Sequence, residues 1–452
     1  MIGADDSVPP VLLRGGTVLT LDPDAQVLLS TDVAVEAGRI AAVGQNLEPP
    51  AGGEIIDVTD CWVLPGLIQG HIHLGQTFFR GLAEKRRLLP WLRERIWPLE
   101  AAHDEESAYW CALIGAAECL LSGTTTIQEI GLGPGAAGLL KAISESGLRA
   151  QAGMCLMDTG EGMPSGLADD TDRVLSTTVA LGEQFDGSEN GRLQYLLNPR
   201  FVLSCSEDLW VGIEAIASDR GWPIHTHALE QREETAAVQR LKAGRDEIEY
   251  FDDMGVLSTD LRIAHGVWLS EEHLQTVATK KFSVAHCPSA NLKLGSGIAD
   301  IVRIRAAGVP VGVGADGAAC NNDLDLFEEI RLAALLQQLK HGPDVFSGVE
   351  ALRLATSEGA KALRLDSEIG SIEVGKFADL LVLDTARPEF FAAGQVDPHD
   401  LVAYGGSRAA VKHVLVNGDP LVRNGRLMRL DLEAILPRAS QALEDLLRRA
   451  DL

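Results

Sequence analysis

The chain has no run of eighteen apolar residues, so no segment of it reads as a membrane-spanning helix. It also has no surplus of positive charge. Thirty-nine Lys and Arg stand against 65 Asp and Glu, a net charge of −26 spread along the chain without long runs. Such a surface disfavours nucleic acid or an anionic membrane as partner and leaves a small molecule as the expected one. The seven cysteines show no paired metal-ligand spacing, and several lie in apolar stretches, so they read as reduced core residues. Cys320 stands close to Asp316, in a position to line a pocket. The opening Met1-Ile-Gly-Ala-Asp-Asp lacks the basic start and apolar core of a signal peptide, which makes the cytoplasm the expected location. No internal repeat or low-complexity tract stands out. The 452 residues suffice for one large barrel and a small second domain.

What the chain does have is Gly70-His71-Ile72-His73-Leu74, close behind the apolar run Trp62-Val63-Leu64-Pro65-Gly66-Leu67-Ile68. On a strand, residues i and i+2 share a face, so His71 and His73 present two imidazoles side by side. Neutral imidazole is a good ligand for a divalent transition metal. A lone His-x-His pair is weak evidence, but four later segments repeat the theme. Trp222–Glu230 contains His227 and ends in Glu230, Leu261–Leu269 contains His265, Phe282–Ala290 contains His286, and Val309–Gly317 contains Asp316. Each begins apolar, carries His, Asp or Glu near its C-terminal end, and precedes a segment that reads as a helix. One His or one Asp-Gly at a strand end is ordinarily a core or turn residue. Five strands ending this way are hard to explain by turn chemistry.

Three further strand candidates, Thr124–Ile130, Arg149–Leu156 and Leu193–Phe201, bring the count between Leu64 and Gly317 to eight. Strand-helix alternation argues for a parallel sheet with crossover helices, and eight strands fit an α/β (β/α)8 TIM barrel with its chemistry at the C-terminal strand ends. The two ends of the chain differ from this middle. Val11–Thr20, Asp32–Val43, Ala378–Asp384 and Val411–Gly418 alternate and turn like antiparallel strands. The expected organisation is a small β-sandwich from 1–64 and 376–428, a barrel over 65–375, and a C-terminal helix over 429–452.

His71, His73, His227, His265 and Asp316 together resemble the metal site of the amidohydrolase superfamily. Gly370-Ser-Ile-Glu-Val-Gly-Lys-Phe-Ala-Asp-Leu-Leu-Val-Leu-Asp384 resembles the segment with which that family returns to its sandwich. The likeness runs from about Val11 to Gly425. Within the superfamily, Gln76–Leu82, Trp91-Leu92, Ile96–Ala101, Asn198–Glu207, His286–Leu294 and Gly314–Asn322 are similar to the 5′-deoxyadenosine, methylthioadenosine and S-adenosylhomocysteine deaminases, a group often labelled triazine chlorohydrolases. Two places depart from that group. Ala83-Glu84-Lys85-Arg86-Arg87 stands where an Asp pair is usual, and Leu229-Glu230-Gln231 where Ser-Glu-Asn is usual.

The resemblance implies one divalent metal held by His71, His73, His227 and Asp316, zinc first and ferrous iron as the alternative. Binuclear members need a carbamylated Lys at the fourth strand, and Leu193–Phe201 contains no Lys. The reaction implied is hydrolytic removal of an amino group from a heteroaromatic ring. Asp316 would move the water proton to the leaving amine, Glu230 would protonate the ring nitrogen, and His265 would hold the attacking oxygen. For substrate binding, likeness to nucleoside deaminases points to Trp91 stacking on the base and Glu100 accepting the ribose hydroxyls. Gln76 and Arg200 are similar to residues with which guanine deaminases contact a free purine. His286 is open between supporting the site and touching ligand. An adenosine-type nucleoside is therefore the leading substrate. A free-base deaminase of guanine or an oxidised purine, or a triazine hydrolase, is the rival enzyme, and a scaffold without activity is the reading from another class. Relatives are often dimers or tetramers, so a homodimer or tetramer is expected.

Overall fold

The computed structural model describes residues 9–451. The chain divides into two compact units. One comprises the residues up to Gln69, Glu118–Thr126 and Asp325–Leu430; the other comprises Gly70–Ala117, Ile127–Leu324 and Asp431 onward.

In the first unit, strands from both ends of the chain build one nine-stranded sheet. Leu380–Asp384 runs antiparallel to Cys61–Pro65, with Leu380 opposite Pro65, and Val411–Val416 and Asp419–Arg423 extend the sheet beyond it. On the other side, Cys61–Pro65 adjoins Val11–Leu19, then Val27–Glu36 and Arg39–Gly44. Val11–Leu19 needs its glycines. Gly15 takes φ +81° at a register shift, and its N–H turns to the Asp32 carboxylate at 2.8 Å. An antiparallel bridge between Arg39 and Phe377 curls the sheet back on itself. The alternating apolar side chains of Val11, Leu13, Val33, Val35, Val63, Leu380, Val382 and Leu415 fill the core against this sheet.

The barrel strands are Leu67–His73, Thr124–Glu129, Arg149–Ala152 with Cys155–Leu156, Leu193–Tyr195 with Asn198–Pro199, Ile224–Ala228, Leu261–His265, Phe282–His286, and Val311–Val313 with Asp316–Gly317. They follow one another around the ring in sequence order. The fourth and fifth strands are joined by a parallel bridge between Leu197 and Ile224 and by hydrogen bonds from His225 N to Leu197 O (2.8 Å) and His227 N to Arg200 O (3.0 Å). The eighth strand carries the closure. Its first part pairs with Phe282–His286 and its last two residues with the first strand, Asp316 opposite Ile72. The break falls at Gly314-Ala315. A Cβ on Gly314 would stand 2.5 Å from His71 O and 2.7 Å from His71 N, so only glycine lets the two strands meet this closely. The strands are buried on both faces, as a parallel sheet covered by helices requires.

The helix Leu432–Arg449 belongs to the same compact unit as the site residues. Its Ala439, Ala442 and Leu446 join the apolar cluster that contains Leu88, Trp91, Leu92, Ile96 and Trp97. Arg449 ties its end down through Ala102 O (2.7 Å), Ser107 Oγ (3.1 Å) and Asp104 (3.0 Å). Among the described residues no helix is long and apolar enough to cross a membrane. All seven cysteines are buried and unbonded to one another.

Candidate active site

The C-terminal ends of the first, fifth, sixth and eighth strands bring His71, His73, His227, His265 and Asp316 into one cluster. His71 Nε2 and His73 Nε2 each lie 3.4 Å from Asp316 Oδ1, and His73 Nε2 lies 3.1 Å from His227 Nε2. Ligand atoms of His71, His73 and His227, and those of His71, His265 and Asp316, fall within 4.8 Å of one another.

The donor set fits a metal ion on this geometry alone. His227 Nδ1–H donates to Arg200 O at 2.6 Å, which leaves Nε2 with its lone pair facing inward. His71 is fully buried, and its Nε2 faces inward toward the Asp316 carboxylate. Burial holds His73 and His227 well below the usual histidine pKa, so both imidazoles are neutral, the form a metal needs. Burial lowers His71 as well, against an opposing pull from Asp316. Burial works to raise Asp316, but its hydrogen bond to His71 and the nearby His265 and His73 hold it well below the usual carboxylate range. The carboxylate is thus ionised.

Glu230 lies just past the fifth strand and is held from three sides. Its Oε1 accepts from Ser296 Oγ at 2.8 Å, its Oε2 lies 3.5 Å from His265 Nε2, and its backbone N–H donates to Glu234 Oε2 at 2.9 Å. The Gln231 side chain anchors the same turn by donating to Leu294 O and Ser296 Oγ. Burial raises the Glu230 pKa, with Asp316 adding to the rise and His265 opposing it, so this glutamate keeps its proton to higher pH than a solvated one. His265 Nδ1–H donates to Asn291 Oδ1 at 2.9 Å, which leaves Nε2 an acceptor facing Glu230 and Asp316 (3.8 Å to Oδ2). His265 and Asp316 both sit in the left-handed region, at φ +74° and +62°. Strand geometry ends there, and the turn aims each side chain at the cluster.

A small pocket opens over these groups. Its walls include Trp91, Leu88, Leu92, Phe201, Glu230 and Glu234. Trp91 thus stands where a flat ring could lie against it. Glu100 is placed differently. It is buried and already paired with the Arg200 guanidinium, while Gln76 Nε2 donates to its other oxygen at 2.9 Å. Gln76 Nε2 also lies 3.3 Å from His73 Nδ1. Glu100 and Arg200 line a second cavity of about 230 Å³ beside the first, and Arg200 lines both. His286 is wholly buried, neither ring nitrogen has a protein partner, and burial lowers its pKa to about 3. Cys320 is buried too and donates to Gly317 O.

Four residues here escaped sequence reasoning. Asn291 and Ser296 orient His265 and Glu230 from the segment after the seventh strand, and no spacing rule singles them out. Glu234 fills the third position of its helix, where a capping carboxylate is expected. His225 is the exception. His225-Thr226-His227 repeats the His-x-His spacing of the first strand, a signal that was available in the sequence.

The profile of the Amidohydrolase family matches residues 62–421. A 5′-deoxyadenosine deaminase of Methanosarcina acetivorans is 34% identical, over 98% of this chain and 99% of that protein. A 5-methylthioadenosine/S-adenosylhomocysteine deaminase of Halobacterium salinarum is 35% identical, over 97% of this chain and 98% of that protein. Among solved structures, an adenosine deaminase from Xanthomonas campestris with bound zinc aligns at a TM-score of 0.89 and 29% identity, covering 96% of this chain and 98% of that one. The atrazine chlorohydrolase of Arthrobacter aurescens, complexed with zinc, aligns at a TM-score of 0.88 and 26% identity, covering 96% and 100%.

Proposed function

Because the chain belongs to the amidohydrolase family, we propose that it is a metal-dependent hydrolytic deaminase of an adenosine-type nucleoside: 5′-deoxyadenosine, methylthioadenosine, S-adenosylhomocysteine or adenosine. The observation that carries the reading is the convergence of three imidazoles and one carboxylate beneath a pocket walled by Trp91 and Glu230. Nearly full-length likeness to deaminases of such nucleosides supports it.

His71, His73, His227 and Asp316 would hold one divalent ion, zinc by the chemistry of the donors and by the zinc in the structural relatives. When bound, such an ion lowers the pKa of water to about 7 and so supplies a nucleophile at neutral pH. Asp316, ionised and beside that position, takes the water proton and passes it to the departing amine. Glu230, protonated, donates to the ring nitrogen next to the carbon under attack. His265, with its Nε2 lone pair turned inward by Asn291, accepts a hydrogen bond from the attacking water and so orients it. Trp91 stacks on the base.

The test is ammonia release from zinc-loaded protein with the four nucleosides. Turnover of at least one is expected; none with any of them, at full metal content, overturns the assignment.

Gln76 and Arg200 favour a second reading, a free-base purine deaminase, because both bind the very carboxylate that would otherwise take ribose. Glu100→Ala is a poor discriminator, since it strands a buried guanidinium at a cost of about 3–5 kcal/mol. Glu100→Gln keeps the shape. A nucleoside enzyme should lose about tenfold or more in kcat/KM with this variant, the worth of a hydrogen bond to a charged group. An enzyme acting on the free base should not.

A further inference from the structure

Behind His71, on the side away from Asp316, lies a chain of buried groups that the proposed reaction does not use. His71 Nδ1 is 2.8 Å from His225 Nε2, and His225 Nδ1 is 3.2 Å from Arg262 O and 3.1 Å from Gln128 Nε2. His71, His225 and Gln128 are all at most 1% exposed. The Gln128 amide has a fixed orientation. Its Oε1 accepts from the Arg262 guanidinium at 2.9 Å, a group that can only donate, so its Nε2 faces Gly70 O (2.8 Å) and His225.

Two hydrogen-bond arrangements satisfy this chain. In one, His225 Nδ1–H donates to Arg262 O, His225 Nε2 accepts from His71 Nδ1–H, and His71 Nε2 carries a free lone pair. In the other, Gln128 donates to His225 Nδ1, His225 Nε2–H donates to His71 Nδ1, and His71 carries its proton on Nε2, facing Asp316 Oδ1 at 3.4 Å. The proton count is the same in both. Each ring gives up its proton at one nitrogen and regains one at the other, and both rings stay neutral. Only the first arrangement offers His71 Nε2 to a metal.

We propose that His225 is a positioning residue that sets the tautomer of His71, that Gln128 opposes it, and that the balance between them tunes the metal affinity of the site. A ligating histidine ordinarily passes its second N–H to a carboxylate or a carbonyl. Here the acceptor is an imidazole that can face either way. Arg262 O and the Gln128 amide are the two stops of the relay. Metal binding pulls the relay to the first arrangement against the Gln128 donor.

The inference rests on the metal-site reading of the proposed function, and the test separates the two. Zinc affinity of the metal-stripped full chain is measured by chelator competition for wild type, His225→Phe and Gln128→Leu. His225→Phe leaves His71 Nδ1–H in a dry interior without an acceptor and should weaken zinc about 10- to 100-fold, the usual effect of removing such a partner. Gln128→Leu removes the competing donor and should tighten it. Two buried substitutions with opposite signs are not what general loosening of the core produces. Unchanged affinity in folded His225→Phe, or unchanged or weaker affinity in Gln128→Leu, overturns the proposal. If wild type binds no zinc, the metal reading itself falls. Nitrogen-15 imidazole spectra of wild type keep the test independent of variant folding. His71 should be protonated at Nε2 without metal and at Nδ1 with zinc, and the same tautomer in both states rejects the relay.

Discussion

Glu230 shows how a few neighbours can fit an ordinary side chain for the acid role proposed for it. Burial raises its pKa, Ser296 fixes one oxygen, and the Glu234 cap fixes its backbone. Glu230→Gln should keep fold and metal yet lose about 10²- to 10⁴-fold in kcat, the usual worth of general acid catalysis; full metal content with near-normal kcat would place the proton donor elsewhere. The pH dependence follows from the same contacts. In the proposed reaction the acid form is the active one, so kcat should fall as pH rises through the raised pKa of Glu230. Ser296 Oγ–H stabilises the charged form. In Ser296→Ala that support is gone, the pKa rises further, and the alkaline limb of the kcat profile should move to higher pH. His227→Ala acts on the other function of the site: it removes a donor with a fixed inward lone pair, and metal analysis of the purified variant should find well under one equivalent.

At the scale of elements, the strand ends were legible because parallel strands are apolar throughout and polar side chains at their C-terminal ends stand out. That made His71, His73, His227, His265 and Asp316 readable one by one. Asn291 and Ser296 were not readable, because their value lies in reaching His265 and Glu230 from a neighbouring segment, a relation of space and not of sequence. The sequence offers Glu100 as the acceptor for ribose hydroxyls; the structure surrounds it with Arg200 and Gln76, two residues that the sequence offers for a different role. The C-terminal helix over 429–452 is legible in the sequence, but its packing into the cluster that contains Trp91 is not. Leu446→Ala should therefore cost about 2–5 kcal/mol of unfolding free energy as a buried truncation. It should also raise KM more than it lowers kcat, since the wall loosens and the reacting groups do not; steady-state kinetics on the folded variant would read this.

The molecule as a whole buries more carboxyls than its reaction uses. Glu129 is fully buried, and desolvation raises its pKa to about 8, opposed by the N–H groups of Leu74 and Gly131 that its two oxygens accept. Glu247 is raised by burial to about 7. The sign is clear. A folded pKa above the unfolded value of 4.5 means that the native state binds more protons between the two, so stability is greatest below pH 4.5 for these groups and drains away as pH rises through about 7 and 8. Thermal melts between pH 5 and 8 should show a falling Tm, and Glu247→Gln, which cannot titrate, should flatten the slope; an equally steep slope in that variant would assign the loss to other groups.

The left-handed backbone at His265 and Asp316 bears on how this protein can change over generations. Asn, Asp and His enter that conformation several times more often than other side chains, and β-branched ones are close to excluded. The alphabet at two positions of the proposed site is thus cut to a few letters by the chain's own shape before any selection for chemistry begins. Lineages that drift to new substrates must write their novelty elsewhere, at positions with ordinary backbone freedom. A mutational library aimed at a new specificity would waste most of its members at 265 and 316.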